Sequence, residues 1–136
     1  MTPRHSPESD GPERGRSAEV DATFAVLSAA ERRHALYYLR ERESATLDEL
    51  ATVVAGWLRA REDEAGVATP EDRERVRAEL HHVHLPRLAA AGIVCYDLDS
   101  GEVTLRALPA FLDATIERSL ATDRERGGGS RDAPGD

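Results

Sequence analysis

Apolar residues return at helical spacing through most of the chain and switch to strand-like order in one stretch near its middle. Phe24, Val26 and Leu27 form the first apolar cluster. Ser28 stands three residues before Glu31, the spacing of a capping box, and predicts a helix opening there and running to about Arg42. Ala35, Leu36, Tyr38 and Leu39 would face its core. Thr46 and Glu49 repeat the capping signal. Behind them Leu47, Leu50, Val53, Val54, Trp57 and Leu58 recur at three-to-four spacing, a strongly amphipathic stripe in which the lone Trp reads as a core anchor. An acidic linker over 62–69 follows.

A third helix is predicted from Pro70, with Thr69 as its cap and Glu71 and Asp72 at the positive end of its dipole. It reaches about Ala91 and stops at Gly92, and Pro86 inside it predicts a break near residues 82–86. The period then changes. Ile93 to Asp97 reads as a strand, Asp99-Ser100-Gly101 as a turn, and Glu102 to Leu105 as the returning strand of a β-hairpin. Both faces of the first strand are apolar, so Cys95 is expected to be buried there. A last helix over about 108–122 sets Leu108, Phe111, Leu112, Thr115, Ile116, Ser119 and Leu120 in a nearly continuous seam.

Composition sharpens the boundaries. Residues 1–18 are rich in Pro, Gly, Ser and mixed charge and are expected to be disordered, as is the tail 123–136. One domain over 19–122 remains, large enough to bury a core without disulfides or metal. The single cysteine gives no disulfide framework, which points to an intracellular, cytoplasmic setting. No run approaches the roughly 20 apolar residues of a membrane span, and the N-terminal stretch has no apolar core of a secretory signal. There are 26 acidic residues against 18 basic ones, and every basic residue is arginine. Such a surface suits molar salt, where the Debye length falls to about 3 Å and a net charge of −8 repels little. A GC-rich codon bias would also favour Arg over Lys.

The element order is therefore mainly α with a small β-hairpin: three helices, the hairpin, and an additional C-terminal helix. That order is the winged form of the helix-turn-helix, in which the third helix enters the major groove. The residues His84-Leu85-Pro86-Arg87-Leu88 followed by Ala91-Gly92-Ile93-Val94 resemble the end of the recognition helix in ArsR and MarR winged-helix repressors. A longer match, at Leu80 to Leu88, Ala91 to Asp97, Glu31-Arg32-Arg33 with Leu39, and Thr46 to Ala51, resembles a haloarchaeal winged-helix family of unknown function over about 24–106. The resemblance implies the fold and leaves the activity open.

Double-stranded DNA is the first candidate partner. Arg73, Arg77, His81 and His84, spaced by 4, 4 and 3, are expected along one side of the third helix, with Arg87 just beyond the break. Against it, Glu71, Asp72, Glu74 and Glu79 balance that helix, and Asp97, Asp99 and Glu102 make the hairpin acidic. The alternative is a protein-interaction module, a homodimer through the 108–122 seam, that does not bind DNA. His81, His82 and His84 supply too few ligands for zinc, so no metal or other cofactor is expected. A phosphate-cradling glycine loop and a nucleophile elbow are both missing, and no enzymatic role is expected.

Overall fold

The computed structural model describes residues 18, 20–22, 24–62 and 66–132, with side chains through Glu125. The segment 1–18 expected to be disordered lies outside the described residues apart from Ala18, as do residues 133–136. The elements are α1 (Ala30–Arg42), β1 (Ser44–Thr46), α2 (Leu47–Glu62), α3 (Pro70–Glu79), a π-helical turn (Leu80–His84), α4 (Leu85–Ala90), β2 (Val94–Tyr96), β3 (Glu102–Leu105) and α5 (Ala110–Asp132). The fold is mainly helical, with one small antiparallel sheet and a C-terminal helix.

Local chemistry explains most element ends. Thr46 and Glu49 form the expected capping box: the Thr46 N–H donates to Glu49 Oε1 at 2.8 Å and the Glu49 N–H to Thr46 Oγ1 at 3.1 Å. Thr69 and Asp72 do the same for α3, both bonds at 3.0 Å, with Pro70 in the first turn. Ser28 does not cap α1. That helix starts at Ala30 without a side-chain cap, and the Ser28 hydroxyl turns back to the Ala25 carbonyl at 2.6 Å. The α4 helix ends in a Schellman motif around Gly92, φ 77°, where the Gly92 N–H reaches the Ala89 carbonyl at 3.0 Å and the Ile93 N–H the Leu88 carbonyl at 2.9 Å. The break expected at Pro86 is a π-turn, closed by the Leu85 N–H donating to the Leu80 carbonyl. Widening the turn just ahead of the proline accommodates a residue that has no N–H and whose ring would crowd the preceding turn.

The hairpin has a third strand beside it. β3 is central in the order β1-β3-β2, and β1 pairs with it as Ser44↔Thr104, Ala45↔Val103 and Thr46↔Glu102. Glu43, at φ 72°, turns the chain from α1 into this strand. β2 pairs with β3 as Val94↔Leu105, Cys95↔Thr104 and Tyr96↔Val103. Val94 and Val103 are buried, but Cys95 is exposed, which corrects the expectation of a covered strand. Only one face of this sheet meets the helices, so period-two alternation turns Cys95 to solvent.

Leu36, Leu39, Leu50, Val54, Leu80, Leu85, Leu88 and Ile116 fill the core between the helices and the sheet. In α1 it is Tyr37 that is buried, while Tyr38 is only partly covered and lies under Arg42. The α5 seam packs on its own domain: Leu112 and Ile116 are buried, and Leu108 and Leu120 partly so. The helix also runs past its expected end. Asp123, expected at the head of a solvated tail, is buried and accepts from Arg33 Nε at 2.9 Å and from the Tyr37 hydroxyl at 2.5 Å. Burial alone would raise the Asp123 carboxyl, but these bonds outweigh it and hold it below the usual carboxylate range. No described helix is long and apolar enough to cross a membrane.

Candidate nucleic-acid interface

The five side chains predicted along the third helix do not share one face. Arg73, Arg77 and Arg87 are exposed, His81 is partly covered, and His84 is only 9% exposed. The i→i+5 turn adds a residue to the helical circuit, so His84 does not come back beneath His81 as it would in an α-helix. It points instead into the interior against α1. That corrects its expected place on the same helix side as Arg73, Arg77 and His81.

The surroundings of His84 define its chemistry. Arg32, itself buried, donates through Nε to the Val26 carbonyl at 2.7 Å and through Nη2 to the Ala25 carbonyl at 3.1 Å. Its Nη1 lies 3.1 Å from His84 Nδ1. A guanidinium can only donate, so Nδ1 accepts and the neutral imidazole carries its proton on Nε2, facing Glu31 Oε1 at 3.9 Å. Burial lowers the His84 pKa, with Arg32 adding to it and Glu31 opposing it. One ligand atom each from Glu31, Glu79 and His84 lie within 4.8 Å of one another. A metal on Nε2 would need the other tautomer, with an Nδ1 proton aimed at a guanidinium, so this donor set does not fit one.

The exposed arginines differ among themselves. Arg77 Nε donates to Asp48 Oδ1, in the first turn of α2, at 2.6 Å. Arg73 and Arg87 make no ion pair among the described residues. His81 Nδ1 lies 2.7 Å from the Tyr96 hydroxyl, which ties the helix to β2. A cleft of about 280 Å³ opens between the start of α2, Arg77, His81, Tyr96 and the hairpin turn. The acidity of that turn is partly structural. Asp97 Oδ1 accepts the Asp99 N–H at 2.9 Å and the Ser100 N–H at 3.4 Å, and these backbone bonds lower its pKa. Asp99 and Glu102 are exposed and keep the hairpin negative.

Sequence reasoning missed Asp48 and Tyr96. Neither is close in sequence to its partner, and no local signal marks either pair. An Asp two residues after a capping Thr reads as a helix-dipole residue, and a strand Tyr reads as packing.

A mainly helical domain with a small three-stranded antiparallel sheet and a long C-terminal helix is thus the class of protein defined. Residues 24–104 match a domain of unknown function, DUF7344, and the chain belongs to that family. The match ends within β3 and leaves α5 outside. No curated protein and no solved structure matches the chain.

Proposed function

We propose that this chain is a winged-helix module that binds double-stranded DNA, as a transcriptional regulator or an accessory domain of one. The observation that carries the reading is the exposure of Arg73, Arg77 and Arg87 along the α3–π-turn–α4 segment, with Arg77 in the cleft beside the hairpin turn. Exposed guanidiniums along one helical segment offer forked donors to phosphates and guanine edges. The order α1, β1, α2, α3, hairpin supports a helix in the major groove with the hairpin alongside. His81 contributes through its free ring nitrogen, while His84 serves the core. The reading assigns the chain an intracellular setting and no catalytic role.

The acidic hairpin leaves the burden of binding on the helix. Counterion release weakens as salt rises, and a binder working in molar salt depends more on shape and hydrogen bonds. Enrichment of genomic DNA fragments in molar KCl tests the proposal, with Arg77→Ala and Arg87→Ala as controls. Selective enrichment that both substitutions weaken is expected. No enrichment, or enrichment indifferent to both, overturns it.

One observation favours a second reading, a homodimeric interaction module without DNA binding. Phe24 and Phe111 remain 59% and 43% exposed on the side of the domain that carries α5. Apolar rings left open beside a long helix suit a second copy. Sedimentation at high concentration in molar salt decides this: a strict monomer removes it.

A further inference from the structure

We propose that Asp48 regulates the DNA-facing surface by competing with phosphate for Arg77. The inference rests on the DNA-binding reading and adds to it a residue that sets affinity. Asp48 and Arg77 come from different helices and meet only in the folded chain, at 2.6 Å. Their side chains are 79% and 44% exposed, so an incoming anion reaches the pair directly. The pair forms one wall of the cleft between α2 and the hairpin turn. Arg73 and Arg87 make no such pair among the described residues, so of the three arginines proposed to contact DNA Arg77 alone has to change partner.

The exchange is chemically simple. An exposed ion pair is weak, and a phosphate offers the guanidinium the same forked acceptor geometry as a carboxylate. The Asp48 backbone is fixed in the first turn of α2 by the Thr46 cap, so a displaced Asp48 carboxylate can only rotate within a side chain's reach of Arg77. Its carboxylate therefore stays beside any phosphate that displaces it, and the two repel. Removing that one charge frees Arg77 and removes the repulsion together. The net gain is about one phosphate contact, which counterion release reads as a change of about one in the salt slope.

The test measures affinity for one enriched duplex over a KCl series, using the full chain, Asp48→Asn, Arg77→Ala, the double variant and Asp99→Asn. Asp48→Asn is expected to tighten binding by about three- to tenfold and to steepen the salt slope by about one. In the Arg77→Ala background the gain should shrink below about twofold, because the competitor then has nothing to withhold. Asp99→Asn removes a charge from the same cleft without touching Arg77 and should give the smaller gain. Thermal melting of each variant confirms that the fold is retained. Binding by the wild type that Asp48→Asn leaves unchanged or weaker overturns the inference alone. So does a gain that persists in full without Arg77, or one that Asp99→Asn equals. If neither the wild type nor Asp48→Asn binds, the DNA reading falls and this inference falls with it.

Discussion

Arg32 and His84 are 52 residues apart in the chain, and Arg32 Nη1 lies 3.1 Å from His84 Nδ1 inside the fold. The same guanidinium holds the carbonyls of Ala25 and Val26, so one side chain links the start of the domain, α1 and the π-turn. Arg32→Met keeps the length of the stem but leaves these acceptors without a donor. It should cost about 2–3 kcal/mol, read by chemical denaturation. The same geometry predicts that zinc at equimolar concentration leaves the melting temperature unchanged. A rise of several degrees that His84→Ala abolishes would contradict the Nε2-protonated tautomer.

Asp123 joins α5 to α1 through Arg33 and Tyr37. Asp123→Asn should destabilise by about 2 kcal/mol, because it removes the charge partner of the half-buried Arg33 guanidinium, while Tyr37→Phe should cost about 1 kcal/mol. The folded carboxyl titrates below its unfolded value. Its stabilisation is therefore complete above about pH 4 and is lost as the pH falls through the folded value. Denaturation midpoints between pH 5 and pH 2 should drop for the wild type and much less for Asp123→Asn.

His34 gives a separate acid response. It is 1% exposed, neither ring nitrogen has a hydrogen-bond partner, and it stacks on Trp57 with centroids 5.0 Å apart. Burial lowers its pKa from 6.5 to about 4, so the folded state holds it neutral. Above pH 6.5 both states are neutral and stability is full. Between pH 6.5 and 4 the unfolded chain binds a proton that the folded one refuses, and roughly 3 kcal/mol is lost. His34→Phe should flatten that limb of the profile and leave stability at pH 8 equal or higher. A profile with the same slope in both proteins would refute this.

Two left-handed residues should respond in opposite directions. Gly92 has φ 77° with open space where a methyl group would sit, so Gly92→Ala should cost about 1 kcal/mol from backbone strain alone. Glu43 has φ 72° without being glycine, and Glu43→Gly should stabilise by about 0.5–1 kcal/mol. Thermal melting of the two variants side by side checks both signs.

Much of the local structure was legible in the chain. The boxes at Thr46–Glu49 and Thr69–Asp72, the stop at Gly92, the disturbance at Pro86 and the hairpin turn all arise from contacts within a few residues, and sequence spacing encodes those directly. The Ser28 signal failed because its hydroxyl turns back to donate to the Ala25 carbonyl and accepts no N–H of the first turn. β1 was illegible because three residues carry no period, and only the edge of β3, far along the chain, makes them a strand.

The candidate site divides along the same line. The exposed Arg73 and Arg77 follow from helical spacing in the sequence, with the exposed Arg87 just beyond the break. Only the tertiary structure decided that His84 is an interior residue held by Arg32, that Asp48 occupies Arg77, and that Asp123 belongs to the core. Spacing reports which side chains share a face of one element. Which partner each one meets depends on how separate elements pack, and here a single π-turn was enough to turn a histidine from the surface to the interior.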